Sequence, residues 1–278
     1  MATAPTKPTT PVKKEGSSTS GMFAVLTIPL CIIVAILIFV FILGDASHYA
    51  GGDVEKGNPQ DVYGTVHRGG KLVPIIMGFV LMVIVFSIER AIVIGKAAGS
   101  GNVDAFVRKI TSFLNAGNID AASAECDKQK GSVANVIKSG LKKYREMEAD
   151  STLTIDQKTL AIQKDIEEAT ALEMPMLEQN LTIIATLVSI GTLAGLLGTV
   201  IGMIGAFSTL SANGAPDTSQ LSANISEALI NTALGITTSA SSIVLYNYFT
   251  SRIDKLTYAI DETGFSIVQT FAASHARK

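Results

Sequence analysis

The chain has 278 residues, of which 47% are hydrophobic and 17% charged, with a formal net charge of −2 at pH 7. This composition and a mean hydropathy of +0.38 exclude an ordinary soluble domain and predict a membrane protein. The near-neutral charge, without a basic and aromatic-rich face, also excludes a typical nucleic-acid-binding protein. The two cysteines, Cys31 in an apolar run and Cys126 in a charged segment, indicate neither a disulfide nor a thiolate metal site.

The chain begins with a polar tail and a first apolar segment. Residues 1–21 are rich in Pro, Thr and Ser, and this low complexity predicts disorder. The apolar segment 22–43 has two interpretations. A cleaved signal peptide would explain Lys13 and Lys14 before it, but its apolar run of about 21 residues exceeds the roughly 7 to 15 of a signal core. We therefore favour a retained membrane helix.

Three further apolar segments follow. Each reaches the roughly 20 residues that a helix needs to cross ~30 Å of hydrocarbon. They comprise residues 71–94, 179–211 and 221–250. Together with the first segment they predict a membrane protein with four spans.

The basic residues predict the orientation of these spans. The segment 95–178 carries eleven Lys and Arg residues, whereas the loop 44–70 carries two and the hairpin 212–220 carries none. Because basic segments stay cytoplasmic, we expect both termini and the middle segment in the cytoplasm and the two loops in the periplasm. A single His67 in the first loop is interpreted as an exposed or packing residue rather than a ligand.

The middle segment is predicted to be helical, with helix starts at Asn102, Asn118 and Ser132 and no strand-like alternation. From about Thr154 a charged, periodic pattern runs straight into the third span. Pro175 is the expected site of a bend in this long helix.

The C-terminal tail, residues 251–278, repeats apolar residues at helical spacing among charges, and Gly264 interrupts the pattern only locally. We therefore expect the fourth span to continue into the cytoplasm. The predicted fold is an all-α polytopic membrane protein whose long helices extend into a cytoplasmic helical stalk.

Small residues form a stripe along the third span. Plotted at 100° per residue, five glycines fall on one face, which favours close helix packing. They are Gly191, Gly195, Gly198, Gly202 and Gly205. Beside the stripe, Thr192 and Thr199 lie seven residues apart on nearly one line. Each threonine taken alone has a structural interpretation, because such a hydroxyl usually bonds back to the carbonyl one turn earlier.

The fourth span contains Glu227, the only ionisable side chain between Leu221 and Leu245. A charge at this depth costs several kcal/mol unless it is paired, hydrated or protonated, so it indicates a functional site. Helical spacing gives it polar companions on one face, while the opposite face is apolar. These companions are Asn231, Gly235, Thr238 and Ser242, with Thr232 and Ser239 on the adjoining edge. We expect this face to meet a wet cavity or a polar partner.

A proton is the best candidate for transport along this face. One carboxylate, hydroxyls and trapped water can relay a proton, whereas a metal ion needs several oxygen ligands at one point. No metal and no cofactor is therefore predicted. The alternative is that Glu227 stays neutral and only hydrogen-bonds across a subunit interface. Since a single carboxylate cannot generate force, a moving partner with its own ionisable group is also expected.

Two stretches resemble a known family. GLLGTVIGMIGAF (195–207) and ISEALINTALGITTSASSIVLYN (225–247) are similar to the paired signature of the MotA/TolQ/ExbB proton-channel family, on its ExbB and TolQ side. The resemblance implies a bacterial inner-membrane subunit that forms a homopentameric ring, in contact with membrane lipid, around an ExbD-like partner with one membrane helix and an aspartate. It further implies that proton flow energises a TonB-like protein for outer-membrane transport.

The resemblance also implies roles for individual residues. Thr199 and Thr232 would face the partner's aspartate, and Glu227 would lie within the pore wall. Two features depart from the family pattern. The helix 22–43 is additional to the three spans usual in ExbB and TolQ, and Ser241 stands where many relatives have a proline.

Three alternatives remain open. The first is a TolQ-like subunit or a stator of a flagellar or gliding motor, and the second is a passive scaffold whose polar stripes only pack. An enzyme is the third and weakest, because the three histidines form no metal-protease motif and the chain lacks a nucleophile elbow and a phosphate-binding loop.

Overall fold

The computed structural model describes residues 17–54, 57–211 and 218–276. Within these ranges the chain is helical and contains no strand, with one isolated antiparallel bridge between Tyr49 and Pro59. This confirms the all-α prediction for the described residues. Most of the predicted disordered tail and most of the predicted hairpin 212–220 lie outside them.

Nine α-helices are present in the described part of the chain. Their bounds are α1 Ser17–Leu37, α2 Val62–His67, α3 Val73–Ala98, α4 Val103–Asn115, α5 Ile119–Gln129, α6 Gly131–Ala149, α7 Ile155–Glu178, α8 Leu181–Ser211 and α9 Thr218–Ala276. A π-helical turn, Ile38–Leu43, continues α1. The first helix thus begins before the predicted boundary at Met22.

Four helical stretches among the described residues are long and apolar enough to cross a membrane, and they overlap α1, α3, α8 and α9. The outer side chains of α1 and α8, such as Leu26, Leu30 and Leu196, are exposed. Apolar side chains facing outward are expected for helices whose surroundings are lipid rather than water.

The junction between α7 and α8 corrects the prediction of one continuous helix from about Thr154 into the third span. Helix α7 passes through Pro175 and ends at Glu178. The break lies at Asn180, whose backbone has φ +63°. Asparagine is one of the few residues that tolerate this left-handed conformation, so the helix is interrupted at this residue.

Arg90 of α3 stabilises this junction. Its side chain is 1% exposed, and its Nη1 donates to the carbonyl oxygens of Met176 and Leu177 at 3.1 Å each. Nε donates to the neighbouring Glu89 carboxylate at 2.6 Å. The guanidinium therefore satisfies carbonyls that the end of α7 leaves without a helical partner.

The helix starts of the middle segment follow two of the three predicted signals. Asn102 and Asn118 cap α4 and α5 by accepting hydrogen bonds from main-chain N–H groups of the first turns, which confirms both predictions. The predicted start at Ser132 was two residues late, because the N-cap residue of α6 is Lys130. Helix α6 begins at Gly131, where a sharp turn with φ +58° at Lys130 and φ +83° at Gly131 sets its first residue.

The middle helices pack with the second half of α9. We call helices α4 to α7 together with residues 250–276 the helical bundle. Its core is formed by buried apolar side chains that include Phe106, Ile110, Ile137, Leu141, Ile162, Ile260 and Phe271. Gly264 does not interrupt α9, which is continuous over 59 residues. The same helix therefore carries the Glu227 segment and a wall of the bundle.

The described residues of the first loop, 44–54 and 57–70, form a folded segment that we call the cap. The Tyr49 hydroxyl lies 2.6 Å from Nδ1 of His67, and His48 Nδ1 lies 2.6 Å from the carboxylate of Asp61. Asp61 also caps α2. The rings of Phe39 and His67 are 4.5 Å apart. His67 thus packs inside the cap, and the cap is held against the end of the first span.

Candidate functional site

Helices α8 and α9 are in close contact along the glycine stripe. A β-carbon built on Gly198 would lie 2.3 Å from Cβ of Asn231, and one on Gly202 would lie 2.7 Å from Cβ of Ala228. Such distances are well inside van der Waals contact at about 3.5 Å, so only glycine fits. All five stripe glycines face α9. Their neighbours are Thr238 at Gly191, Gly235 at Gly195, Asn231 at Gly198, Ala228 at Gly202 and Asn224 at Gly205.

Two threonines meet across this contact between α8 and α9, which we call the α8–α9 seam. The hydroxyls of Thr199 in α8 and Thr232 in α9 are hydrogen-bonded to each other. Thr232 Oγ1 also lies 3.2 Å from the carbonyl oxygen of Gly195 and 3.1 Å from that of Ala228. Both side chains are half-buried. Each hydroxyl of this half-buried pair can either donate or accept a hydrogen bond.

Glu227 lies one helical turn before Asn231, and its half-buried carboxyl group faces the cap. It lies beside Gly70, on which a built β-carbon would fall 1.9 Å from Oε1. The carboxyl group therefore occupies the space that a side chain at residue 70 would need.

Asn231 connects the cap to α9. It is fully buried, and its Nδ2 donates to the carbonyl oxygens of Gly69 at 2.8 Å and Glu227 at 3.0 Å. Because both partners are acceptors, they fix the orientation of the amide. Its Oδ1 is buried without a donor among the described residues. An unused acceptor in this position costs about 1–3 kcal/mol, which suggests a role beyond packing.

Thr192 and Thr238 are satisfied within their own helices. Thr238 is buried and donates to the carbonyl of Leu234 at 2.8 Å, and Thr192 donates to that of Val188 at 3.4 Å. This back-bonding is the usual arrangement of hydroxyls in membrane helices. The predicted site residues therefore fall into a threonine pair, a carboxyl–amide pair under the cap, and two hydroxyls with local partners.

The polar face of α9 packs against other parts of the same chain. It lies against the glycine stripe and the cap, while Leu229 and Ile236 on the opposite face are 63% and 57% exposed. The sequence predicted a wet cavity or a polar partner for this face. In the structure, the main chain of α8 and the Gly69 carbonyl supply much of that polar environment.

Sequence reasoning missed Gly69, Gly70 and Arg90. The paired glycines directly before the second span were a usable signal, because a Gly-Gly step often marks a turn with left-handed backbone. Gly70 has φ +78°. Arg90 gave a weaker signal, since a single arginine near the end of a span is also expected to reach the interface without any partner.

Thiol and metal chemistry find no support in the described residues. Burial raises the pKa of the Cys126 thiol to about 12, so it carries no thiolate at neutral pH. Within the described ranges, no group of three or more His, Cys, Asp or Glu side chains is arranged to hold a metal ion.

Comparison with known proteins adds a family. Residues 128–262 match the model described as the MotA/TolQ/ExbB proton channel family, and this range contains the α8–α9 seam, the threonine pair and Glu227. The matched range comprises 135 of the 278 residues, and over it the chain is similar to this family. The family match begins after α1, the cap and α3, so those elements are not described by it.

Three relatives carry ExbB or TolQ names. A putative biopolymer transport protein ExbB-like 3 of Synechocystis sp. is 34% identical over 31% of this chain and 42% of its own length. The Tol-Pal system protein TolQ of Pseudomonas aeruginosa is 24% identical over 55% of this chain and 67% of its own. The biopolymer transport protein ExbB of Xanthomonas campestris pv. campestris is 28% identical over 42% and 46%. The chain thus spans less than half of two of these relatives.

Proposed function

We propose that this protein is an ExbB-like subunit of a proton-driven motor in the bacterial inner membrane. With an ExbD-like partner it would use the proton motive force to energise a TonB-like protein for outer-membrane transport. The observation that carries the proposal is the hydrogen-bonded pair of Thr199 and Thr232 across the seam, within the family-matched residues and on the helix that bears Glu227.

The chemistry of these groups suits a proton pathway. A threonine hydroxyl can accept a hydrogen bond from a protonated carboxyl group and donate one to a carboxylate. The pair Thr199 and Thr232 is therefore suited to a partner aspartate that changes its protonation state. Glu227 adds a second titratable group in the pore wall, and the free acceptor Oδ1 of Asn231 provides a site for a donor such as water.

The proposed assembly is a homopentamer with the partner's membrane helix at its centre. Its outer surface would be in contact with lipid, which fits the exposed apolar side chains of α8 such as Leu196, Val200 and Phe207. Both termini and the helical bundle are assigned to the cytoplasm on the distribution of Lys and Arg. Helix α1 is then a retained anchor that leads into a periplasmic cap.

A TolQ-like role is the second candidate. It is favoured by the alignment with the Pseudomonas aeruginosa TolQ protein, which extends over 154 residues. A flagellar or gliding stator shares the same proton chemistry. A passive scaffold draws support from the local hydrogen bonds of Thr192 and Thr238.

The decisive test is purification of the chain with its co-expressed gene neighbours, followed by proton-flux measurement in vesicles. We expect a single-span partner with a membrane aspartate, and Glu227→Gln to lower flux at least about tenfold, because a positioned acid contributes ~10²-fold or more to proton transfer. Glu262→Gln, the same change at an exposed residue of the same helix, is the matched control. Full flux in Glu227→Gln contradicts the proposed pathway, whereas recovery of Pal- or TolB-type neighbours replaces the ExbB role by the TolQ role.

A further inference from the structure

The last two residues of the cap, Gly69 and Gly70, reach the face of α9 that carries Glu227. We propose that this Gly69–Gly70 elbow is a positioning element, which holds the Glu227 carboxyl group in one place and shields it on the cap side. The inference rests on the proposed function, since it assigns the elbow to the same proton pathway. It concerns a part of the chain that lies outside the family-matched residues.

Gly70 fits the carboxyl group for two separate reasons. Its backbone has φ +78°, a conformation that other residues rarely adopt. In addition, a β-carbon here would lie 1.9 Å from Oε1 and 2.4 Å from Cδ of Glu227. Another residue at this position would be strained in the turn, and its β-carbon would displace the carboxyl group.

Gly69 is fixed from both sides. Its carbonyl oxygen accepts the 2.8 Å hydrogen bond from the buried Asn231 amide. A β-carbon on Gly69 would lie 2.4 Å from a methyl carbon of Val73 in α3 and 2.7 Å from one of Ile230 in α9. The elbow is thus wedged between two helices and tied to the residue one turn beyond Glu227.

The rest of the cap keeps the elbow in place. Arg68, directly before it, donates to the carbonyl of Gly57 across the cap. The main-chain N–H groups of Gly69 and Gly70 donate to the carbonyls of Val66 and His67 at 3.0 and 3.3 Å. The elbow therefore continues the folded end of α2 and is not a free loop.

Such fixation matters for a glutamate in particular. Its long side chain has several rotatable bonds, and proton transfer needs a donor–acceptor distance of about 2.6–3.2 Å. A neighbour that restricts the carboxyl group to one position reduces the conformational entropy that is lost when the proton is transferred. The elbow restricts the carboxyl group by its shape. The hydrogen bond from Asn231 to Gly69 holds the elbow at a fixed position on α9.

The test compares Gly70→Ala with Gly52→Ala in the purified complex with its single-span partner. Both glycines lie in the cap and have left-handed backbone, with φ +78° and +73°, but a β-carbon at Gly52 meets nothing within 4 Å. Only Gly70→Ala adds a clash with the carboxyl group. We expect it to lower proton flux ~10- to 100-fold, as displacements of about 1 Å do in catalytic sites, while Gly52→Ala stays near wild type.

Rescue separates positioning from general damage. Glu227→Asp keeps the acid but shortens the side chain by one methylene, which makes room for the alanine. We therefore expect Gly70→Ala with Glu227→Asp to carry more flux than Gly70→Ala alone. The infrared carboxyl band that Glu227→Gln removes should also shift in Gly70→Ala and not in Gly52→Ala.

A second pair covers the case in which Gly70→Ala does not assemble. Ile230→Ala removes the side chain against Gly69 without adding volume, and Leu229→Ala is the exposed neighbour on the same helix. We expect Ile230→Ala alone to lower flux and shift the carboxyl band. Equal flux and spectra in Gly70→Ala and Gly52→Ala, or in this second pair, overturn the inference. If Glu227→Gln still loses flux, the proposed function stands; if it keeps flux, the proposed function itself fails.

Discussion

The hydroxyls of Thr199 and Thr232 each have more than one hydrogen-bond partner. Each has a main-chain acceptor, Gly195 for both and also Ala228 for Thr232, in addition to the bond between them. Removing one hydroxyl therefore leaves the other with a partner. We expect stability and proton transfer to respond differently at this pair, because stability loses one hydrogen bond, whereas the proposed proton pathway loses its hydroxyl.

We predict that Thr199→Val lowers proton flux at least about tenfold while it lowers unfolding free energy by only about 1 kcal/mol, the usual worth of one hydrogen bond. Valine keeps the shape of threonine and replaces the hydroxyl by a methyl group. Flux in vesicles and thermal unfolding in detergent measure the two effects. Thr237→Val, at an exposed threonine of α9 that donates to Ala233, is the control. Equal flux in both variants would assign the pair to packing.

At the scale of elements, the α8–α9 seam depends on the absence of side chains. Gly198 lies against Asn231, and Gly202 against Ala228, with no room for a methyl group. Helices in lipid gain little from the hydrophobic effect and depend on such close packing. The spacing of the glycines predicted this contact surface, but the identity of its partner came only from the fold.

Gly198→Ala is expected to destabilise the protein by about 1–3 kcal/mol, the usual cost of overpacking, and to separate α8 from Asn231. Gly95→Ala in α3 is the matched control, because a β-carbon there meets nothing within 4 Å. Alanine is the better helix former, so Gly95→Ala should leave stability unchanged or raise it by about 0.5–1 kcal/mol. Thermal unfolding of both variants in the same detergent measures the difference, and equal losses would contradict close packing at Gly198.

The α7–α8 junction illustrates a limit at the same scale. The charged, periodic pattern predicts one helix that continues into the third span, yet α7 ends at Glu178. The end is stabilised by Arg90, which comes from a helix far away in sequence and binds the carbonyls of Met176 and Leu177. No local pattern near residue 175 contains that contact.

At the scale of the whole molecule, α9 and the cap connect the separate parts. At about 1.5 Å per residue, the 59 residues of α9 extend over roughly 90 Å. They carry the Glu227 site at one end and the helical bundle at the other. The cap joins α1 to this site, since Phe39 packs on His67 and the elbow accepts a hydrogen bond from Asn231.

The cap should respond to mild acid. Burial first, and then the nearby Arg68 charge, lower the pKa of His67 below its ordinary value near 6.5. The folded cap thus prefers the neutral ring, and its stability falls as pH decreases below about 6.5 towards the lowered pKa. We expect amide hydrogen exchange in residues 44–70, corrected for intrinsic rates, to be faster at about pH 5 than at about pH 7.

His67→Gln isolates this effect, because glutamine can still form a hydrogen bond with the Tyr49 hydroxyl but does not titrate. The contact between His48 and Asp61 is present in both proteins, so it cancels in the comparison. We expect the acid-induced increase in exchange to be smaller in His67→Gln. An identical pH dependence in the variant would assign the response to another group.

The sequence by itself determined the spans, the all-α class, the glycine stripe and the residues of the candidate site, including Glu227, Thr199 and Thr232. It did so because these features depend on composition and on helical periodicity, which are local. Only the tertiary structure decided which residues meet at the site. Thr199 bonds to Thr232, Asn231 bonds to Gly69, and the Glu227 carboxyl group lies beside Gly70. Those contacts join residues up to 162 positions apart, and such pairings depend on how the helices pack.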